Sequence, residues 1–390
     1  VGKTVVHIAD FATPHAGGFI SSLKMLAAEA KAKGYQVVMV FPAAAEKTAW
    51  ALQLQQSGFA LRFLPSNLSL FALVRCIRSV VYEENAELLH THFSNYNFPA
   101  AIVSLLSLFT NRKIYVVWHF HSDWRTRLTL KRRMKDFILY RLLGRMTFGI
   151  AVSESIRAEI GGRGMPLQRI KYVPNGFDAE RLVGCEKDKA TLRYELGITP
   201  QTRVFLVFGW EPITKGVDLL LAAFAQLCNG EKCDKVGLLL IGKEPMLQYV
   251  NEWSCGDKPS WLYLAEPRER VAELYAVSDI FISASRSEGF PYSVVEAMAS
   301  RLPVISSDIP GVAWAKGVQG VVFFSSCDAT DLATRITEVI SWNDVQWNCN
   351  VDANCRFVTE KYSLQTWAKN VLAVYDTIMN THTVQGGRII

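Results

Sequence analysis

Short apolar runs rich in β-branched residues alternate with amphipathic stretches along the whole chain. In the first half the runs are Val5–Ala9, Gln36–Phe41, Leu61–Pro65, Leu88–His92, Ile114–His119 and Phe148–Val152. Near-continuous apolar character is what parallel strands need when both faces of their sheet are covered. Phe19–Lys33 and Ala100–Phe109 lie between them with the periodicity of helices. The second half repeats the alternation. Its strand candidates are Val204–Phe208, Gly237–Ile241, Trp261–Leu264, Ile280–Ala284, Pro303–Ser307 and Val321–Phe324. Its helical stretches are Asp218–Leu227, Arg268–Val277, Tyr292–Ser300 and Ala329–Ile340, and one more amphipathic helix, Ser363–Met379, ends the ordered pattern. Strand–helix alternation of this kind predicts an α/β fold with doubly wound sheets.

The chain has 390 residues, half of them hydrophobic, too many for one ordinary core and enough for two. Residues 173–200 break the pattern with turn signals at Asn175-Gly176 and a charged run around Glu186–Lys189, and read as a linker region. The prediction is two Rossmann-like domains facing across a cleft, over residues 1–180 and 181–362. The cleft between such domains is the default place for a ligand.

Charge adds one feature. The net charge is +6, but Arg125, Arg127, Lys131, Arg132, Arg133, Lys135, Arg141 and Arg145 crowd one segment, 124–146, against Asp136 alone. The interleaved apolar residues, Leu128 to Leu143, imply one inward-packing face. The cations are then expected to meet an anionic membrane surface. Nucleic acid is not expected, because no groove-reading motif accompanies them. No apolar run reaches the roughly 18 residues of a membrane span, and the first residues lack the pattern of a signal peptide. The eight cysteines form no CxxC pair or zinc-finger spacing and read as reduced thiols. The expected location is cytoplasmic, peripheral at the inner face of the plasma membrane.

Chemistry concentrates in residues 285–310. Glu288 and Glu296 stand eight apart, separated by a Gly-Phe-Pro turn that opens a helix, with a buried strand on either side. This puts Glu288 on a loop at the carboxyl end of a strand, where ligands of open α/β sheets bind. Glu296 falls in the second turn of the next helix. Val295, Met298 and Leu302 supply the apolar stripe and leave Glu296 off it. The first backbone N–H groups of that helix can receive a phosphate. A carboxylate on each side of an anion site suits a ligand made of sugar, phosphate and ribose in a row.

The order of features over about residues 5–378 resembles glycosyltransferase family 4, retaining nucleotide-sugar transferases of GT-B architecture. The matching pieces are Gly17-Gly18, His90-Thr91-His92, His119-Phe120-His121, Ala151-Val152-Ser153, the 173–178 segment, Lys215-Gly216 and the Glu288/Glu296 pair. The resemblance implies that Glu296 accepts hydrogen bonds from the donor ribose and that Glu288 and His121 lie at the donor sugar. It also implies that Lys215 neutralises the departing diphosphate. Gly289, Phe290, Pro291 and Tyr292, Gly17 and Gly18, and Gly242 and Lys243 would sit along the donor. His92, His119 and Asp123 are expected on the acceptor side, with Asp123 orienting His121. The HxH pairs suggest metal ligands, but no third ligand is evident, so neither metal nor cofactor is expected. The segment 363–379 is expected to return to the first domain.

At one position the chain departs from the family pattern. The family usually carries Arg just after a glycine, five or six residues before the Lys; here Trp210 follows Gly209. Indole cannot pair with phosphate as guanidinium does, so Trp210 is expected to contact the donor by one N–H bond or by stacking its ring on the base or sugar. Arg286 and Arg203 are the candidates to replace it. The implied activity is retaining transfer of a sugar from a nucleotide-diphosphate donor to an acceptor hydroxyl in bacterial surface glycan or glycolipid assembly. No residue makes a convincing covalent nucleophile. The competing readings are a weakly catalytic GT-B subunit scaffolding a partner transferase and a GT-B sugar-nucleotide epimerase.

Overall fold

The computed structural model describes residues 3–121, 134, 136–185, 187–228, 235–268 and 270–380. They form two compact units. The first holds the chain up to Gly176 together with the helix Leu364–Asn380; the second holds Phe177–Ser363.

In the first unit seven strands form one parallel sheet. They are β1 (Lys3–Ala9), β2 (Tyr35–Pro42), β3 (Ala60–Leu64), β4 (Leu88–His92), β5 (Tyr115–Phe120), β6 (Phe148–Ala151) and β7 (Ile170–Tyr172). Their order is β3-β2-β1-β4-β5-β6-β7, so the chain reverses direction across the sheet between β1 and β4. Side chains two apart on a strand share a face. Val5, Leu88, Val117 and Ile150 therefore line one face, which the helices Gly17–Ala32 and Leu364–Asn380 cover through Leu26, Trp367, Val371, Leu372 and Tyr375. Asp376 fixes the last helix to its own unit by accepting from the Tyr35 hydroxyl at 2.7 Å and from Lys33 Nζ at 3.2 Å.

The second unit has a six-stranded parallel sheet: β8 (Arg203–Phe208), β9 (Val236–Ile241), β10 (Leu262–Ala265), β11 (Ile280–Ser283), β12 (Val304–Ser307) and β13 (Val321–Phe324). The order is β10-β9-β8-β11-β12-β13, with the reversal between β8 and β11. Phe205, Leu240, Ile282, Ile305 and Phe324 interlock with Leu220, Phe224, Leu332 and Ile336 of the covering helices. Each such side chain contributes about 1.5–3 kcal/mol when enclosed.

Three elements differ from the sequence reading. β7 has only Ile170 buried, so no apolar run marks it. The helix Asp344–Lys361 was not expected, because it buries only Val351, Asn354 and Val358. A capping box between Asn343 and Gln346 starts it. The buried Asn354 side chain ties it down, donating to the carbonyls of Leu302 and Gly320 at 3.0 Å each. Finally, residues 177–200 are not a free linker. Arg193, on the helix Lys189–Glu195, is buried and donates to Val277 O, Pro200 O and Asp279 Oδ2 at 3.2, 2.8 and 2.7 Å.

Cys228 is disulfide-bonded, which corrects the expectation of reduced thiols throughout. Cys76, Cys185, Cys255, Cys327, Cys349 and Cys355 are free.

Candidate functional site

In the second unit, the switch between β8 and β11 brings two loops together at the carboxyl ends of their strands. One follows β8 and carries Lys215; the other follows β11 and carries Glu288. Lys215 Nζ lies 2.6 Å from Glu288 Oε1, and Ser285 Oγ donates to the same oxygen at 2.7 Å. Two glycines set this distance. A Cβ on Gly216, whose φ is +68°, would stand 2.2 Å from the Ala284 carbonyl oxygen. A Cβ on Gly311 would stand 2.1 Å from the Glu288 carbonyl oxygen. Only residues without a side chain let the backbones pass this closely.

Glu296 projects from the helix Tyr292–Ala299 and is 5 % exposed. Arg181 Nη1 donates to its Oε1 at 2.8 Å, and the buried Tyr275 hydroxyl donates to its Oε2 at 2.9 Å. Burial pushes the carboxyl above the usual carboxylate range, against the pull of Arg181 and the Tyr275 bond. Burial and the neighbouring Glu296 push the Tyr275 phenol well up. Each carboxylate oxygen keeps a further lone pair with which to accept from a ligand hydroxyl.

The helix between the two glutamates opens at Pro291 with no side-chain cap and no acidic residue in its first turn. An uncapped N-terminus of this kind is ready for an anion. Gly289 is buried beside it. The Phe290 ring stacks on Trp314, centroids 4.8 Å apart, and meets Tyr362 edge-on. The ring is thus a core element, and only the backbone of Phe290 is available to a ligand.

Trp210 is 43 % exposed and stacks on Phe208 at 5.5 Å, presenting an aromatic face rather than a cation. Neither proposed substitute takes over. Arg286 is held by Asp218 in a two-bond pairing of 2.8 and 2.6 Å. The Arg203 guanidinium lies 4.7 Å over the Trp347 ring. Gly242 follows β9, and Lys243 makes an exposed pair with Glu266 at 3.4 Å.

In the first unit Gly17, at φ +57°, and Gly18 open the helix Gly17–Ala32, also without a side-chain cap or an acidic first turn. Nearby, five histidines share one face of the sheet. In register, His7 on β1 pairs with His90 on β4, and His92 pairs with His119 on β5. His121, one step past the end of β5, meets His92, with Nε2 and Nδ1 3.2 Å apart. His92 Nε2 also lies 3.0 Å from His7 Nδ1. Tyr375 OH, from the last helix, sits 2.5 Å from His90 Nδ1 and 3.3 Å from His7 Nε2. Burial holds His7 and His121 down to about 3 and the other three well below the ordinary imidazole value. All five are neutral near pH 7. His92 and His119, expected to line an acceptor surface, are 0 % exposed. Asp123 and residues 124–133 lie outside the described residues.

The sequence reading missed Arg181, Tyr275, Ser285, Gly311 and His7. Arg181 fell in the stretch read as a linker, and Tyr275 fell inside the predicted helix Arg268–Val277 with no motif to single it out. His7 had a signal: it is a polar residue inside the apolar first strand, level with His90.

Comparison with known proteins agrees with this geometry. Residues 16–181 match the family described as Glycosyltransferase Family 4, and residues 202–341 match Glycosyl transferases group 1. The D-inositol 3-phosphate glycosyltransferase of Segniliparus rotundus is 31% identical over 167 residues, 40% of this chain and 36% of that protein. The N-acetyl-alpha-D-glucosaminyl L-malate synthase of Bacillus anthracis is 28% identical over 246 residues, 62% of this chain and 61% of that protein. The chain thus spans between about a third and three-fifths of the length of these relatives. A longer match is the Saccharomyces cerevisiae phosphatidylinositol N-acetylglucosaminyltransferase GPI3 subunit, 21% identical over 98% of this chain and 84% of that protein. Among solved structures, a Rickettsia africae glycosyltransferase superposes with TM-score 0.80 at 16% identity, covering 97% of this chain and 99% of its own. Anabaena HepE in complex with UDP and glucose gives 0.78 at 19%, covering 96% and 100%. Likeness at these identities establishes the fold, two parallel-sheet α/β domains of the GT-B glycosyltransferases. With a matching domain in each unit, the chain belongs to the family 4, group 1 glycosyltransferases.

Proposed function

We propose that the chain is a retaining hexosyltransferase that moves a sugar from a nucleotide-diphosphate donor to an acceptor hydroxyl. The observation that carries this reading is the Lys215–Glu288 contact of 2.6 Å beside an uncapped helix N-terminus, with the enclosed Glu296 on the same helix. A bound donor would exchange partners in this pair. Lys215 turns to the diphosphate and offsets its growing charge as the glycosidic bond breaks. Glu288 turns to a sugar hydroxyl and faces the positive charge developing at the anomeric carbon. Glu296, held by Arg181 and Tyr275, accepts from the two ribose hydroxyls. The acceptor attacks from the side the diphosphate leaves, and the diphosphate draws its proton. Lys215 and the helix N–H groups supply the positive groups for the leaving diphosphate, so the scheme calls for no cofactor and no metal at that position. His121 supports the sugar.

The acceptor we infer is a surface glycan or glycolipid. Several curated relatives act in glycolipid assembly by name, among them the alpha-galactosylglucosyldiacylglycerol synthase of Streptococcus pneumoniae. Among the described residues no helix is long and apolar enough to cross a membrane. Met134, Phe137, Ile138 and Leu142 are exposed beside Arg141 and Arg145, a composition that suits peripheral contact with anionic lipid. Co-sedimentation with anionic and neutral vesicles tests that contact.

A panel of nucleotide sugars, read by thermal shift and then by product mass spectrometry, tests the activity. Glu296→Ala is expected to weaken donor binding chiefly, and Glu288→Ala to lower turnover about 100-fold with a smaller change in affinity. Unchanged kinetics in both variants would remove the assignment. Trp210 motivates a second reading, a weakly catalytic subunit that serves a partner transferase, because Arg286 and Arg203 are both engaged elsewhere. Donor binding without turnover in the isolated chain would favour it.

A further inference from the structure

The five-histidine cluster has more ligating capacity than the proposed transfer uses. His92, His119 and His121 each offer a ring nitrogen, and these three atoms lie within 4.8 Å of one another. His119 is fully buried, yet neither of its ring nitrogens has a hydrogen-bond partner among the described residues. Buried polar atoms are nearly always satisfied, and each that is not calls for an explanation. We propose that His92, His119 and His121 form a binding site for a divalent transition metal of the zinc class, with water as its fourth ligand.

The donor geometry is close to what such an ion needs. Tetrahedral zinc with nitrogen ligands at about 2.0–2.1 Å spaces those nitrogens about 3.4 Å apart. His92 Nδ1 and His121 Nε2 are already at 3.2 Å. The His119 ring stacks on His121 with centroids 4.1 Å apart, and its ligating nitrogen lies within 4.8 Å of the other two. Three imidazoles and a water are a donor set that zinc accepts.

The surroundings prepare His92 for the role. Its Nε2–H can donate to His7 Nδ1, His7 Nε2–H to the Tyr375 oxygen, and the Tyr375 hydroxyl to His90 Nδ1. Run in that direction, the chain leaves the lone pair of His92 Nδ1 pointing at His121. Partners behind a ligating histidine fix its tautomer in this way. The other triad, His7, His90 and His92, is less suited. Its members are all enclosed, and His7 and His90 both have nitrogens engaged by Tyr375. Sequence spacing hid the site because the ligands come from two strands and the loop end beyond one of them.

Titration of the tag-free, chelator-stripped full chain with cobalt(II) tests the site. The expected result is a visible ligand-field spectrum of four-coordinate nitrogen–oxygen type that saturates at one equivalent and is displaced by zinc. His119→Gln should abolish it. His121→Gln, a change at the more exposed ligand, should do the same and guards against a misfolded first variant. His7→Asn should weaken binding about 10-fold through loss of the supporting bond. No saturable binding, a thiolate charge-transfer band that places the ion on cysteine, or an unchanged spectrum in the ligand variants would overturn the proposal.

Discussion

In the second unit each carboxylate of the Glu288/Glu296 pair has a cation and a hydroxyl against it, whereas in the first unit five imidazoles lie against one another with no counter-charge among the described residues. The difference is written in the composition. All seven histidines of the chain lie outside residues 177–363. The second unit stores charge and can release it to a ligand by exchanging partners. The first unit stores neutral donors that acid or a metal ion would convert. The two should therefore fail under different conditions, and that contrast can be broken experimentally.

Acid gives the largest expected effect. A histidine whose folded pKa lies below its unfolded value of about 6.5 binds fewer protons when folded. Stability is then full above pH 6.5 and is lost as pH falls from there toward the folded value, about 3 for His7 and His121. Each histidine of the cluster that stays neutral costs about 1.4 kcal/mol per pH unit in that window. Five would remove roughly 7 kcal/mol by pH 5.5, of the order of a whole domain's stability. Tyr375, the phenol facing them, stays protonated throughout because burial raises its pKa. Hydrogen exchange with chelator present should show β4 and β5 losing protection between pH 7 and 5.5 while β9 and β12 keep theirs. Equal loss in both sheets would erase the contrast.

The next effect belongs to the second unit. Arg181→Ala leaves the enclosed Glu296 carboxylate without its cation. Breaking such a pair by removing one partner costs about 3 kcal/mol. Adding Glu296→Gln should recover most of that loss, because no charge is then left unpaired. Calorimetry of the single and double variants measures the coupling. Additive losses would mean that Arg181 acts by packing alone.

These two predictions differ in how readable their causes were from the sequence. The strands, the two sheets and the Glu288/Glu296 spacing were legible because apolar runs and a short motif are local. What stood outside the motif was not. Arg181 reaches Glu296 across 115 positions, and His7 meets His92 across 85. Only the strand order brings such residues together. The helix Asp344–Lys361 escaped for the opposite reason: it is local, but its burial rests on Asn354, a polar residue that periodicity does not count.

Backbone approach is a smaller lever on the same pocket. Gly216→Ala adds a methyl 2.2 Å from the Ala284 oxygen at positive φ, and Gly311→Ala adds one 2.1 Å from the Glu288 oxygen. Each should cost about 2 kcal/mol in stability and widen the Lys215–Glu288 gap. Turnover should then fall more than donor affinity. Losses of stability without that split would detach the glycines from the pocket.

Lys243 supplies the smallest test and the cleanest control. Its pair with Glu266 is 3.4 Å long, with both side chains more than half exposed. Exposed pairs contribute roughly 0–1 kcal/mol, so Lys243→Ala should leave the melting temperature nearly unchanged. If the lysine reaches a bound diphosphate, affinity for a nucleoside diphosphate should still fall about threefold, the worth of one solvated cation. Repeating the titration at high salt sharpens the result, since screening suppresses an exposed contact far more than the enclosed Arg181–Glu296 pair. A variant that loses affinity equally at low and high salt would place Lys243 in an enclosed contact with the bound diphosphate.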